Sequence, residues 1–252
     1  MESMDVCLHQ EWIEIEEGLD VTERLGVTKW EPPVPACLGG VARGNFPSFI
    51  RKTVQHRAQN LVREIFSEPN VSATWEVTTK LDGSSCTIFS KDNVLGVCSR
   101  NLELSMTQDG NSFVDIAKWK FLNEAGENML AKLGFDNFAI QGELMGPGIQ
   151  KNCENLPTTQ LFVYDIWDIT NQCYVTPSVR KVMCSVIDLQ HVPILHAEAT
   201  LAGLHINDMS DLLEFTEGPS LFNPVREGTV WKREDGEYSF KVLSNDYLEA
   251  EE

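Results

Sequence analysis

The amino-acid sequence predicts an α+β protein built on mainly antiparallel sheets. Short segments of alternating or β-branched residues occur in pairs between scattered amphipathic stretches, without the regular strand–helix units of a parallel sheet. No internal repeat, heptad run or low-complexity segment interrupts this pattern. At 252 residues the chain is long enough to bury a substantial core, as one large domain or two small ones.

Residues 1–30 read as an acidic N-terminal segment and linker, and residues 31–252 as one domain. The stretch Thr28-Lys29-Trp30-Glu31-Pro32-Pro33-Val34-Pro35 is expected to be extended, because proline disfavours helix before it as well as at it. Gly39-Gly40 and Gly44 continue the irregular region. From Thr53 to Glu68, Val54, Ala58, Leu61, Val62, Ile65 and Phe66 recur at helical spacing, which predicts an amphipathic helix with Arg57, Gln59 and Arg63 on its polar face.

Strands are expected to dominate from Ala73 to Arg100. Ser112 with Asp115 forms a capping box opening a helix from Phe113 to Leu133, with Ile116, Phe121, Leu122, Met129 and Leu130 apolar and Gly126 weakening its continuity. Phe138–Met145 and Leu161–Asp168 read as buried strands. Thr176-Pro177 starts a helix whose Val179, Val182, Met183 and Val186 are expected to face inward. Weaker helical signals span Glu198–Glu217, with Gly218 as a stop, and strands at Gly228–Lys232 and Tyr238–Leu243 close the chain.

Composition narrows the function. There is no basic-then-apolar signal segment at the N-terminus, and no apolar run approaches the roughly 18 residues of a membrane span. Seven cysteines form no C-x-x-C pair and no zinc-like cluster with histidine, so they are expected to be reduced thiols in a cytoplasmic protein. The five histidines show no metal spacing and read as structural or surface residues. A net charge of −18, from 38 acidic and 20 basic residues, argues against a broad basic face, so any phosphate-binding surface must be local.

The candidate chemistry sits at strand ends. Lys80-Leu81-Asp82-Gly83-Ser84-Ser85 places a lysine beside an Asp-Gly turn between two strand-like segments. Taken alone, this is a hairpin with a solvated lysine, since short motifs match by chance. Three other strand ends alter the balance. Gln141, Glu143 and Met145 share one face by the two-residue period, and Glu143 precedes the tight Gly146-Pro147-Gly148 turn. In Glu227-Gly228-Thr229-Val230-Trp231-Lys232, Val230 and Lys232 share a face, an apolar residue beside a cation. Lys241 lies in a closing strand, and Arg100 ends the strand Val94–Ser99. Each residue singly has a structural explanation. Together, lysines, an arginine and carboxylates at strand ends suit phosphoryl or nucleotidyl transfer with a divalent metal, where cations stabilise the transition state.

These motifs resemble, in order, the signature elements of covalent nucleotidyltransferases, the superfamily of ATP-dependent RNA and DNA ligases and mRNA capping enzymes. They are K-L-D-G-S at Lys80, S-R-N at Ser99, G-E-L-M-G-P-G-I-Q-K-N from Gly142, F-V-Y-D-I from Phe162, E-G-T-V-W-K from Glu227 and S-F-K-V-L-S from Ser239. The Gly142 element is similar to RNA ligases in particular. The resemblance implies a nucleotidyltransferase fold, two mainly antiparallel sheets flanked by helices with the nucleotide in the groove between them.

It also implies a function. Lys80 would attack ATP and hold AMP covalently, with Mg²⁺ or Mn²⁺ present, and the AMP would pass to a 5′-phosphate RNA end that is then sealed to a 3′-hydroxyl. A lysine near its reference pKa of about 10.4 must first lose its proton. By the same resemblance, Lys80, Glu227, Lys232 and Lys241 would be catalytic. Asp82, Arg100, Glu143, Tyr164, Val230, Lys232, Lys241 and the less sharply defined Arg57 would bind nucleotide, and Asp82, Glu143 and Glu227 would hold metal. The implied partners are RNA ends at a nick in a duplex, and an accessory domain or protein, with the chain expected to be a monomer. Two departures stand out. Ser239 occupies a position where many members carry a second lysine, and only 11 residues follow Lys241, where DNA ligases and capping enzymes carry a further fold. A capping-type guanylyltransferase and a non-catalytic nucleotide- or RNA-end-binding module remain as alternatives, since the shared motifs do not name the base.

Overall fold

The computed structural model describes residues 4–8, 11–15, 41–122 and 137–251. The linker 28–35, Gly39-Gly40, and Gly126, Met129 and Leu130 of the expected second helix lie outside the described residues. The chain divides into two units, Met1–Cys37 and Leu38–Glu252. In the first, strands β1 (Met4–Leu8) and β2 (Glu11–Ile15) form an antiparallel hairpin that pairs Met4 with Ile15 and Leu8 with Glu11.

The second unit is built on two sheets. Its elements in chain order are β3 (Ala42–Asn45), β4 (His56–Arg57), α1 (Val62–Ile65), β5 (Trp75–Lys80), β6 (Ser84–Lys91), β7 (Val94–Cys98), β8 (Leu102–Leu104) and α2 (Ser112–Phe121). They continue as β9 (Phe138–Met145), β10 (Gln160–Asp168), β11 (Cys173–Tyr174), α3 (Pro177–Val186), β12 (Gln190–His191) and β13 (Ile194–Ala199). The chain closes with α4 (Met209–Thr216), β14 (Gly228–Arg233), β15 (Ser239–Leu243) and α5 (Asn245–Glu251). Among the described residues, one sheet runs β11-β10-β9-β6-β7-β8-β3, with β12 joined to β10, and the other runs β13-β5-β14-β15-β4. All pairings are antiparallel except β10 with β12 and β15 with β4. This bears out the α+β class and its antiparallel sheets.

Alternation along the strands sorts core from groove. In β5, Trp75 and Val77 enter a core with Trp231, Phe240 and Leu212, which leaves Glu76, Thr78 and Lys80 on the opposite face. In the first sheet, Ile88, Val97, Ile140 and Val163 pack against Val114, Ala117 and Phe121 of α2 and Cys184 of α3. A β-bulge between Val163 and Asp165 then changes the face of β10, because Phe162 pairs with Glu143 and Asp165 with Gln141. Without the extra residue, Phe162 and Asp165 would point to opposite sides of the sheet.

Several sequence expectations are corrected. The helix Thr53–Glu68 is replaced by the two-residue strand β4, one 3₁₀ turn at Ala58–Asn60 and the four-residue α1. Backbone pairing of His56 and Arg57 with Phe240 and Lys241 satisfies groups that a helix would have satisfied internally, so tertiary pairing overrides the helical spacing. Asn111, not Ser112, caps α2, its side chain accepting from the backbone N–H groups of Phe113 and Val114. Helix α3 begins at Pro177 as expected, but it buries Pro177, Arg180 and Cys184, while Val179, Val182 and Val186 are exposed. The weak helical signal from Glu198 resolves into the end of β13, a 3₁₀ turn and α4. The closing helix α5 has no counterpart among the expectations.

Arg180 turns inward because it meets buried acids. Its guanidinium pairs with Glu76 of β5 and lies 3.5 Å from Asp165 of β10, while Lys232 Nζ of β14 lies 2.5 Å from the same Asp165 oxygen. Arg180 also donates to His191 Nε2 at 3.0 Å, and burial with the nearby guanidinium lowers the His191 pKa to about 4, so the ring is neutral. Among the described residues no helix is long and apolar enough to cross a membrane. Replacing Arg180 with Leu strands the Glu76 carboxylate, and denaturant unfolding should show a loss of about 3–5 kcal/mol. Val182→Ser, on the face expected from sequence to be inward, should stay within about 0.5 kcal/mol.

Candidate active site

The two sheets bring their charged strand ends to one cleft of about 480 Å³, lined by Lys80, Asp82, Arg100, Glu143, Glu227 and Lys241 among others. Lys80 ends β5, and its Nζ lies 2.6 Å from Glu227 Oε1, with the two side chains 23% and 16% exposed. The pairing follows from register: Gly228 of β14, next to Glu227, opposes Lys80 of β5 on one side and Leu243 of β15 on the other. A Cβ on Gly228 would sit 2.0 Å from the Val242 carbonyl oxygen, so only glycine lets these three strands close beside the lysine. Gly83 plays the same part in the turn after Lys80, where a Cβ would stand 2.5 Å from the Leu144 oxygen.

Burial sets the charge states here. Glu143 is pushed up to about 7, mainly by burial and against the pull of Lys80, with Glu227 and Asp82 adding repulsion. Glu227 is also raised, by burial, and its Oε2 is buried without a hydrogen-bond partner. Lys241 is lowered, by burial first and then by Lys80, and Arg100 and Arg57 act in the same direction. Three cations thus act on Lys241 at the cleft, an arrangement that an anion would relieve.

A narrower slot of about 70 Å³ adjoins the cleft and shares Lys80, Glu143 and Gln55 with it; Thr78, Thr79, Leu81, Tyr164, Val192, Val230 and Lys232 complete its walls, whose exposed area is mostly apolar. Tyr164 reaches it at the β10 bulge, its hydroxyl 2.9 Å from Ser85 Oγ. Shape and apolar lining suit a flat ring. Lys232, read from sequence as a phosphate-binding cation, is engaged otherwise: its ammonium donates to the Tyr164 carbonyl and to Asp165, each at 2.5 Å, and burial lowers its pKa to about 8. Arg57 is exposed on β4 rather than on a helix and pairs in register with Lys241.

Asp82, Glu143 and Glu227 line the same cleft, yet among the described residues no three acidic, histidine or cysteine side chains converge closely enough to hold an ion directly. The partnerless buried Oε2 of Glu227 fits a cation that keeps its water shell. Sequence reasoning missed the strap 51–55 that lies over the groove. Thr53 Oγ1 is 2.8 Å from Gln141 Oε1 and 2.9 Å from Asp165 Oδ2, and Gln55 lines both the cleft and the slot. Thr53, Val54 and Gln55 fall within the expected helix Thr53–Glu68, and only the pairing of β4 reveals their place.

Because Glu143 has a folded pKa raised above its ordinary value near 4.5, its contribution to stability is full below about 4.5 and is lost as pH rises through about 7. Unfolding measured against pH should show Glu143→Gln gaining stability relative to the unaltered protein across that window.

Comparison with known proteins accords with this geometry. The RNA ligase family model matches residues 73–243. Solved structures of a Naegleria gruberi RNA ligase are 37% identical over 98% of this chain and 76% of theirs: an apo variant (TM-score 0.75), a variant with ATP and Mn (0.75) and the protein with pyrophosphate (0.74). A search of curated proteins returned no match. The match runs from the start of β5 to the end of β15, the strands that carry Lys80, Glu143, Glu227 and Lys241, and the chain belongs to the RNA ligase family.

Proposed function

We propose that the domain over residues 31–252 is an ATP-dependent RNA ligase that works through a covalent lysyl-AMP intermediate on Lys80. The observation that carries this reading is the Lys80–Glu227 pair at 2.6 Å, set in a cleft with Lys241 and Arg100. Glu227, with its carboxyl raised by burial, accepts a proton from Lys80 Nζ. The neutral amine then forms a P–N bond to the α-phosphorus of ATP as the bond to pyrophosphate breaks. Lys241, Arg100 and Arg57 hold the phosphate charge as it develops, in a site partly shielded from water. Asp82, Glu143 and Glu227 would hold a Mg²⁺ or Mn²⁺ ion through its water shell, and that ion would supply neutralisation of phosphate charge.

The slot accepts the adenine, with Val230 beneath it and Tyr164 at its side, and Glu143 at the junction receives the ribose. Lys232 supports the slot through its bond to the Tyr164 carbonyl and reaches phosphate only if that contact is exchanged. The AMP then passes to the 5′-phosphate of an RNA end at a duplex nick, and the 3′-hydroxyl displaces it. The Naegleria protein that this chain resembles was solved with ATP and Mn, with AMP and Mn, and with pyrophosphate, which supports the nucleotide and the leaving group of this scheme.

Incubation with α-labelled ATP and Mg²⁺ or Mn²⁺ should place an acid-labile label on the protein, absent from Lys80→Ala and reduced about 100-fold in rate by Lys241→Ala. GTP should not substitute, and a nicked RNA duplex should be sealed. Label that survives Lys80→Ala refutes the mechanism.

A further inference from the structure

Helix α5 is attached behind the cleft by polar contacts that converge on two of its residues. The backbone N–H of Ser244, which precedes the helix, donates to the Glu227 carbonyl at 3.0 Å. Glu217 grips the same end, accepting from the Ser244 hydroxyl and from the Asn245 backbone N–H at 2.8 Å. Tyr247 then donates its hydroxyl to Asp82 Oδ2 at 2.9 Å, and the Cys153 thiol approaches the same oxygen at 3.4 Å. No residue from Asn245 to Ala250 is fully buried, so α5 adds little to the core. Its contacts serve the rear of the cleft.

The turn that carries Asp82 has a fixed backbone, since Gly83 packs against β9 too closely for any side chain. The Asp82 carboxylate itself retains two free torsions, and an unrestrained acid would sample several rotamers. A phenol-to-carboxylate hydrogen bond is charge-assisted and selects one of them. With both donors on Oδ2, Oδ1 is left for the cleft.

We propose that Tyr247 is a positioning residue for the ligase reaction. It locks the Asp82 carboxylate in the orientation that receives the hydrated cation accompanying the nucleotide, so the C-terminal helix is part of the active site. This rests on the reading of the cleft as an ATP and divalent-metal site. It predicts a defect in metal-dependent nucleotide binding that is transmitted through Asp82.

The test is calorimetric titration of the full chain with ATP over a range of Mn²⁺ concentrations. Tyr247→Phe keeps the ring and removes the donor, and the Mn²⁺ concentration needed for half-maximal ATP binding should rise about tenfold at an unchanged unfolding midpoint. Cys153→Ala should shift it the same way by a smaller factor, and serves as the independent variant should Tyr247→Phe lose stability. In an Asp82→Asn background, Tyr247→Phe should add nothing further. An unchanged Mn²⁺ requirement in both variants overturns the proposal, and so does a shift that persists in the Asp82→Asn background. Failure of the unaltered protein to form a labelled adduct, with its Mn²⁺-dependent ATP binding intact, overturns the covalent mechanism instead and leaves the role of Tyr247 standing.

Discussion

The two sheets of the larger unit are joined by one buried set of charges: Arg180 between Glu76 and Asp165, with Lys232 on the other side of Asp165. Glu76 and Lys232 belong to the second sheet, Asp165 to the first, and Arg180 to a helix packed on the first. Desolvating each ion costs several kcal/mol, and that cost is offset only when every partner is present. The arrangement therefore tolerates little sliding of one sheet over the other. It fixes β14 against β10, and with them the walls of the slot between Val230 and Tyr164.

The cleft depends on that constraint. Lys80 and Lys241 come from the second sheet and Glu227 from the residue before its strand β14, whereas Glu143 and Tyr164 come from the first and Asp82 from the turn that links them. A displacement of an ångström would break the bonds from Lys232 to the Tyr164 carbonyl and Asp165 that join the sheets beside the slot. The field here also runs against that of the whole protein. With a net charge of −18, the chain repels polyanions at long range, yet Lys80, Arg100 and Arg57 lie close enough to Lys241 to lower its pKa. Ionic screening acts over about 8 Å, so a local cation cluster can hold a phosphate inside an acidic protein.

Much of this was legible in the sequence because it depends on short spacings. Alternation and β-branched or apolar runs mark β5, β6, β9, β10, β14 and β15, and the charged residues in or beside them are the candidates that the cleft gathers. What escaped has a common cause. The helix expected over Thr53–Glu68 failed because β15 presents an edge to His56 and Arg57, a partner 184 residues away (56 to 240). The buried face of α3 was misassigned because its three valines outnumber the arginine that an ion pair draws inside. Asp82's contact with Tyr247 joins the motif to a helix from the opposite end of the chain.

By itself, the sequence determined the fold class, the strands and the family, since local alternation and ordered motifs are properties of short stretches. The tertiary structure alone decided which charges are available. It takes Lys232 into an ion pair, leaves Lys80 facing Glu227, and turns Tyr164 into the slot through one extra residue in β10. The reason is that burial and partnership between distant strands, more than residue type, set whether a charge is neutralised by the fold or left for a substrate.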